Sequence, residues 1–314
     1  MAHYRYTLPS YRVHRTRFTC PACGEKKRFN RYIDTETNTY LHESVGRCDR
    51  EIKCGCHKTP RQFFAETQGT HTGSLSVPYH SLSRTIEPPQ APSYVPENLF
   101  QESLHTSKPN HFLTYLIRLF GRERARALSR QYHIGFSDHW AGATVFWQQD
   151  KEGNIRSGKI MLYDPTTGKR VKHPYNYINW VHNTEKLQGF NLQQCLYGEH
   201  LLRAEPLKPV AVVESEKTAV IASVYLPQFV WVAVGSLSNL NVQRCQALQG
   251  RQVVLFPDIG GFERWRKKAQ DLAAIATVKV SDLLERSAGA NGKEDGWDLA
   301  DYLVKFGWKE FRPK

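Results

Sequence analysis

Several scarcities narrow the reading before any motif does. No apolar run is long enough to span a bilayer, and the N-terminus MAHYRYTLPSYRVHRTRF has no signal-peptide core, so a soluble cytoplasmic protein without membrane contact is expected. No internal repeat is visible, which argues against a solenoid or propeller. Acidic residues are outnumbered, 30 Asp and Glu against 43 Lys and Arg, and the formal charge of +13 favours a polyanionic partner, nucleic acid before an anionic membrane surface. Cysteine is scarce outside one stretch. Of seven, five fall between Cys20 and Cys56, and that crowding excludes an ordinary disulfide framework and points to metal. The 314 residues, 40% hydrophobic, can bury a sizeable core and divide into two domains or three lobes.

The cysteine-rich stretch reads FTCPACGEKKRFNRYIDTETNTYLHESVGRCDREIKCGCHKTP. Cys20-Pro-Ala-Cys23-Gly is a zinc knuckle: two thiolates three apart on a tight turn, with a glycine that lets backbone amides approach the sulfurs. Cys48, Cys54, Cys56 and His57 follow after an interval that alternates apolar and polar residues around a polar turn, as a hairpin does. Metal closing a segment too small to hold itself together is a zinc-ribbon layout, expected over residues 1–65. Cys20, Cys23 and Cys48 are three zinc ligands. Cys54 is preferred as the fourth because Cys54-Gly55 repeats the Cys-Gly of the knuckle, with Cys56 and His57 as alternatives. Residues 1–62 carry 13 Lys and Arg against 6 Asp and Glu, which favours a nucleic-acid grip over a purely structural staple.

Residues 66–98 are rich in Ser, Thr, Pro and Gly and read as a flexible linker. A mixed α+β basic lobe is expected over 99–205. Its first helix should take Ser107 as N-cap and Pro109 in its first turn, burying Phe112, Leu116 and Leu119. Arg122, Arg124, Arg126 and Arg130 follow on or near a second helix. Strands are expected at 143–149, 155–163 and 169–172, joined by turns at Glu152-Gly153-Asn154 and Pro165-Thr-Thr-Gly168. Lys159, Lys169, Arg170 and Lys172 cluster on this meander near Trp147, Tyr163, Tyr175, Tyr177 and Trp180. Basic residues interleaved with aromatics suit a path for a nucleic-acid strand or a nucleotide, although inward packing accounts for at least half of those rings.

From residue 206 to 314 the pattern is β/α alternation. PVAVVE, FVWVAVG, RQVVLFPD and TVKVSDL read as strands, and SEKTAVIASVY, NVQRCQAL and FERWRKKAQDLAAIA as the intervening helices. Short connections then require right-handed crossovers and a parallel sheet, with all strand C-termini on one edge. Glu214 and Asp258 end two of those strands, and KEDGWDLADYL places Asp298 and Asp301 at the start of a short helix. The expected fold class is α/β, a parallel β/α sheet preceded by a mixed β-rich lobe and a small N-terminal zinc ribbon.

A strand ending in Glu, one ending in a small residue and one ending in Asp resemble the Toprim pattern of bacterial-type DNA primases, type IA topoisomerases and some nucleases. The order of ribbon, YHIGFSD, ATVFWQQDKEGNIRSGKI, RVKHPYNYINW, QCLYGEHLL and the strand-end Glu is similar to the zinc-binding and polymerase domains of those primases, and most of all to ribbon-plus-Toprim proteins of mobile elements. The resemblance covers nearly the whole chain and implies short-primer synthesis on single-stranded DNA by nucleotidyl transfer dependent on Mg²⁺ or Mn²⁺. It implies that Glu214, Asp258 and Asp298 hold the metal, with Glu214 also a candidate general acid/base. Lys159 matches the arginine of the family's Gly-Arg pair, and Lys172 roughly matches a lysine that helps hold nucleotide or template, with Arg170 beside it. Single-stranded DNA, nucleotides and a replicative helicase are the implied partners. The chain departs from the pattern at Gly260, where the second strand-end acid should stand, and at Ser215, where glycine usually follows the glutamate. Glu263, Asp298 or Asp301 would have to supply the missing oxygen. A second expectation is therefore a non-catalytic nucleic-acid binder on a degenerate Toprim domain, in which Asp298 only caps its helix.

Overall fold

A computed structural model describes residues 5–9, 17–67, 91–105, 110–287 and 296–311. Most of the expected linker, together with Ser107 and Pro109, lies outside them. The chain forms two compact units, Met1–Ile86 and Glu87–Lys314. Among the described residues no helix is long and apolar enough to cross a membrane.

The first unit holds two small antiparallel sheets. One orders β1 (Tyr6–Thr7), β3 (Ile33–Asp34) and β4 (Thr39–Tyr40), and the other β2 (Phe29–Arg31), β5 (Gly46–Cys48) and β6 (His57–Lys58). Helices α1 (Glu51–Cys54) and α2 (Pro60–Thr67) complete it. Among the described residues Cys20, Phe29 and Cys48 form its one buried cluster, with Phe18, Cys23, Cys54 and Cys56 packed around them, and Ile33 and Val45 are the other buried apolar side chains. Five buried apolar side chains are few for the entropy of ordering so many residues, which is the situation in which a metal commonly supplements burial.

The second unit opens with α3 (Glu97–Leu104), α4 (His111–Phe120) and α5 (Arg122–Gln131). Asn110 caps α4: its Oδ1 accepts from the Leu113 amide at 3.1 Å and from the Thr144 hydroxyl at 2.6 Å, while its Nδ2 donates to the Gly135 carbonyl. Phe112, Tyr115, Leu116 and Phe120 form the buried face, and Leu119, expected there, is only half-buried. A four-stranded antiparallel sheet follows in the order β10 (Ile178–Trp180), β9 (Ile155–Met161), β8 (Ala143–Gln149), β7 (Ile134–Ser137). The strand expected at 169–172 does not form; that segment keeps a single bridge, Arg170 to Tyr163. The reason is competition, because β10 pairs Ile178–Trp180 with Lys159–Met161 and takes the free edge of β9.

After α6 (Val181–Thr184) and α7 (Leu201–Ala204) comes a parallel sheet in the order β12 (Val230–Ala233), β11 (Val210–Val213), β13 (Gln252–Leu255), β14 (Thr277–Val280). Helices α8 (Glu216–Tyr225), α9 (Phe262–Leu272), α10 (Leu283–Ser287) and α11 (Leu299–Leu303) accompany it. Both faces are buried. Ala211 and Val213 point into a cluster with Phe112, Phe146, Tyr163 and Tyr197, whereas Val210 and Val212 point into one with Trp265 and Leu272. That is why these strands read as unbroken apolar runs, and why the antiparallel lobe and the parallel sheet share a core. In place of the helix expected at 241–248 there is a turn followed by one 3-10 turn, Gln246–Leu248, and another 3-10 turn, Leu237–Asn239, precedes it. Its Ser/Asn-rich approach satisfies the backbone locally: Asn239 Nδ2 donates to Val234 O, and Asn241 Oδ1 accepts from Arg244 N. Cys245 and Leu248 are buried nonetheless, so the apolar spacing was meaningful without being helical.

Candidate functional site

The knuckle and the end of α1 bring Cys20, Cys23, Cys48 and Cys54 together, their sulfurs all within 4.8 Å of one another. Zn–S bonds of about 2.3 Å on a tetrahedron put sulfurs about 3.8 Å apart, and Cys23 Sγ lies 4.0 Å from Cys48 Sγ. The four thiols therefore fit a structural zinc. Arg50 N donates to Cys48 Sγ at 3.3 Å, the kind of amide–sulfur bond that stabilises a thiolate. Burial opposes ionisation of Cys20, but the backbone amides of Cys23 and Ala22 together with the Cys23 and Cys48 thiols bring it down to about 6, while burial pushes Cys48 up. Gly55, at φ +69°, ends α1 in the left-handed region and turns the chain into β6. Cys56 stands just before β6, where its carbonyl accepts from Cys48 N at 2.9 Å and its side chain packs against the cysteine cluster. His57 is engaged elsewhere, with Nε2 3.1 Å from Tyr32 Oη and Nδ1 3.0 Å from Glu51 Oε1.

At the C-terminal edge of the parallel sheet, β11 and β13 are neighbours in register, Val212 opposite Leu255. Glu214 and Asp258 leave their ends side by side. Among the described residues no hydrogen bond or ion pair holds either carboxylate. Burial pushes the Asp258 carboxyl up to about 8, reinforced by the nearby charges of Asp298 and Glu214 and opposed by Lys217. Burial also raises Glu214, against the pull of Arg264, Lys159 and Arg170. Acids crowded into a half-desolvated edge with so little compensation carry an electrostatic cost that a bound cation would relieve.

Asp298 is differently committed. Its side chain accepts from Asp301 N, Asp301 returns the bond to Asp298 N, and the pair forms the capping box of α11. Lys217 Nζ then lies 3.1 Å from Asp298 Oδ2 and 3.1 Å from Asp301 Oδ1, with only 12% of its side chain exposed. Both acids thus already have a cation. Among the described residues, the four cysteines are the one group of three or more potential ligands within 4.8 Å, so the three strand- and helix-end acids share an edge without converging. Glu263 is exposed on α9 and pairs with Arg266. Gly260 sits at φ +72° with open space where a Cβ would stand, and its amide donates to Glu285 Oε1 at 2.8 Å.

Of the basic residues read as a nucleic-acid path, Lys159 is not on the surface. It stands on β9 opposite Phe146 and gives both Glu216 carboxylate oxygens a hydrogen bond, at 2.9 and 3.0 Å. Lys169, Arg170 and Lys172 are exposed. Trp147 and Tyr163 are core residues, Trp180 is half-buried, and Tyr175, 54% exposed, stacks on Tyr177 at 4.4 Å. Sequence reasoning missed Glu216 and Lys217 altogether. Their only signal was two charges in the first turn of a helix whose remaining face is apolar, and their partners lie 57 and 84 residues away.

Residues 110–259 match a family described as a domain of unknown function, DUF6371, and residues 4–69 match a zinc beta-ribbon finger family. No curated protein matches the chain. Similar solved structures include the primase fragment of the bacteriophage T7 primase-helicase protein, 14% identical over 90% of this chain and 99% of that chain with a TM-score of 0.35. The Escherichia coli primase catalytic core is 11% identical over 66% of this chain and 81% of that chain, TM-score 0.40. The zinc-binding and RNA polymerase domains of the Aquifex aeolicus primase are 10% identical over 94% of this chain and 76% of that chain, TM-score 0.36. At those scores, the chemistry rests on this chain's own residues.

Proposed function

We propose that the chain is a DNA primase-like protein of a mobile element that binds single-stranded DNA and makes short primers by metal-dependent nucleotidyl transfer. The observation that carries this reading is the pair of uncommitted carboxylates, Glu214 and Asp258, on neighbouring parallel strand ends, the edge where open α/β sheets place their ligands. In this reading residues 99–205 are the basic lobe and 206–314 a Toprim-like domain. Glu214 and Asp258 would hold a divalent cation, and Asp298 would contribute only by exchanging Lys217 for it. Such a cation, when bound, neutralises phosphate charge and lowers the pKa of an attacking hydroxyl. Glu214, raised by burial, is suited to take that proton. Arg170 is near enough to Glu214 to lower its pKa and exposed enough to meet a phosphate, while Lys172 continues the same basic surface.

A second reading has its own observation. Lys217, lying between Asp298 and Asp301, supplies in cis a positive charge beside the edge, and Gly260 contributes no acid; both suit a nucleic-acid binder on a retired active site. Primer synthesis on a single-stranded template with Mg²⁺ or Mn²⁺ separates the two. On the first reading wild type extends primers, and Glu214→Gln and Asp258→Asn abolish synthesis while changing DNA affinity less than about two-fold, because the carboxylates serve the chemical step. Wild type that binds DNA but makes no product under either metal selects the second.

A further inference from the structure

A cavity of about 530 Å³, lined by neither of the two strand-end carboxylates, opens in the second unit between the Lys151–Glu152 turn, the segment from Leu192 to Glu199 and the segment from Asn239 to Ala247. Its wall contains six side-chain amides, among them Gln194 and Asn241, and no aromatic ring. Arg244 enters this wall without a counterion: among the described residues no carboxylate lies within 4.0 Å of its guanidinium. Its Nη1 donates to Gln194 Oε1 at 2.8 Å, and its Nε is buried without a partner. Gln194 spends its oxygen on that bond and leaves its own Nε2 buried and unpartnered. The acids of the wall are no substitute. Glu199 accepts from the Leu196 amide at 3.1 Å through Oε2 and from the Lys151 amide at 3.4 Å through Oε1, and Glu152 lies 3.9 Å from Lys151 Nζ. Arg156, also in the wall, is already paired with Asp150 at 2.6 Å. Burial lowers the Arg244 pKa, so the fold sustains a desolvation cost there that no charge within salt-bridge reach offsets.

A poorly compensated guanidinium beside an unused amide donor is a recognition element for an oxyanion, since the planar fork of arginine matches phosphate geometry. We propose that this cavity binds a phosphate group, with Arg244 as the anion-binding cation and Gln194 as the group that orients it. The volume suits a ligand of mononucleotide size, and the amide-rich wall suits hydrogen bonding to sugar or base edges. The phosphate can come from a free nucleotide or from the backbone of a bound strand; both present the same oxygens.

The test uses the full chain at constant ionic strength with chloride as reference, and follows the unfolding midpoint and apparent Kd. Inorganic phosphate, adenosine 5′-monophosphate and a 5′-hydroxyl oligothymidylate are the three probes. Wild type should respond saturably to at least one of them, and Arg244→Gln should weaken that response about ten-fold or more. Gln194→Glu places the missing carboxylate beside Arg244, so it should raise the midpoint in phosphate-free buffer and remove the response. Arg266→Gln, on the exposed face of α9, should bind as wild type does. A response to phosphate or the monophosphate identifies a free ligand, and a response to the oligothymidylate alone identifies a strand. If Arg244→Gln does not fold, Gln194→Glu decides. Equal responses in wild type and Gln194→Glu, or none in wild type to any probe, overturn the site. Neither result bears on primer synthesis, which depends on Glu214 and Asp258.

Discussion

Four sulfurs in the ribbon and three carboxylates at the sheet edge are both sets of anionic ligands, yet the chain draws the first to within 4.8 Å and leaves the second apart. The difference follows from how each is positioned. The cysteines come in short turns, CPAC on one side and a single helical turn ending at Cys54 on the other, joined through the pairing of Phe29 with Cys48. Little else fills that core, so a cation is what the ribbon is arranged around. Two of the acids follow strands of a well-packed sheet and the third caps a helix, and Lys217 already pairs with Asp298 and its neighbour Asp301. One site sits at the centre of a unit with few other buried side chains; the other is carried by a unit with a large apolar core.

The largest effect should come from breaking the first site. Cys48→Ser, or removal of metal by chelation, should abolish the protected structure of residues 17–67, because structural zinc contributes on the order of 10 kcal/mol or more to such units. Elemental analysis should find about one zinc per chain in wild type and little in the variant, while hydrogen exchange in β11 and β13 stays slow. Exchange that is unchanged in the ribbon after zinc loss would show that the small core suffices.

Next comes the internal cation. Lys217→Met strands Asp298 and Asp301 and should cost about 3–5 kcal/mol by denaturant unfolding in chelator, with part recovered on adding Mg²⁺. Lys159→Ala should cost a similar amount, about 3–5 kcal/mol, by stranding buried Glu216. In contrast to Lys172→Ala, its effect should appear in stability more than in DNA affinity.

A carboxylate held by amides alone gives a third contrast. Burial raises the Glu199 carboxyl from 4.5 to about 7, against the bonds from Leu196 and Lys151. The folded state therefore prefers the protonated acid. That contribution is fully present below pH 4.5 and is lost as pH rises towards 7, a decline of about 3 kcal/mol that Glu199→Gln should flatten. A stability profile for Glu199→Gln parallel to that of wild type across this window would refute the assignment.

The smallest effect is at Gly260. Gly260→Asp adds an acid where the Toprim pattern has one, but at φ +72° a side chain costs about 1–2 kcal/mol in metal-free buffer. If Glu214 and Asp258 bind Mg²⁺, the added oxygen should reduce that deficit when the metal is present. An identical deficit with and without Mg²⁺ would place the edge with the retired sites.

What could be read from residue order alone was whatever depends on near neighbours. CPAC-Gly marks a knuckle because both thiolates sit on one turn, and ATVFWQQ and the VAVV, VWVA and QVVL runs mark strands because burial imposes the composition directly. Adjacent parallel strands then force Glu214 and Asp258 to one edge. The segments at 169–172 and 241–248 depart from the expectation because each has a local competitor or a spatial rival: β10 occupies the edge of β9, and the Asn239 and Asn241 side chains bond to the local backbone. Lys159 looked like a surface cation among Lys169, Arg170 and Lys172, and only packing against α8 showed it buried on Glu216. Lys217, Asp298 and Asp301 likewise meet across 84 residues that carry no sign of one another. By itself the sequence determined which ligands are chemically available, sulfur in one place and carboxylate in another. Only the tertiary structure decided which charges are already answered, because the energy of a charge depends on its distance to every other charge and to water, and those distances do not exist until the chain has folded.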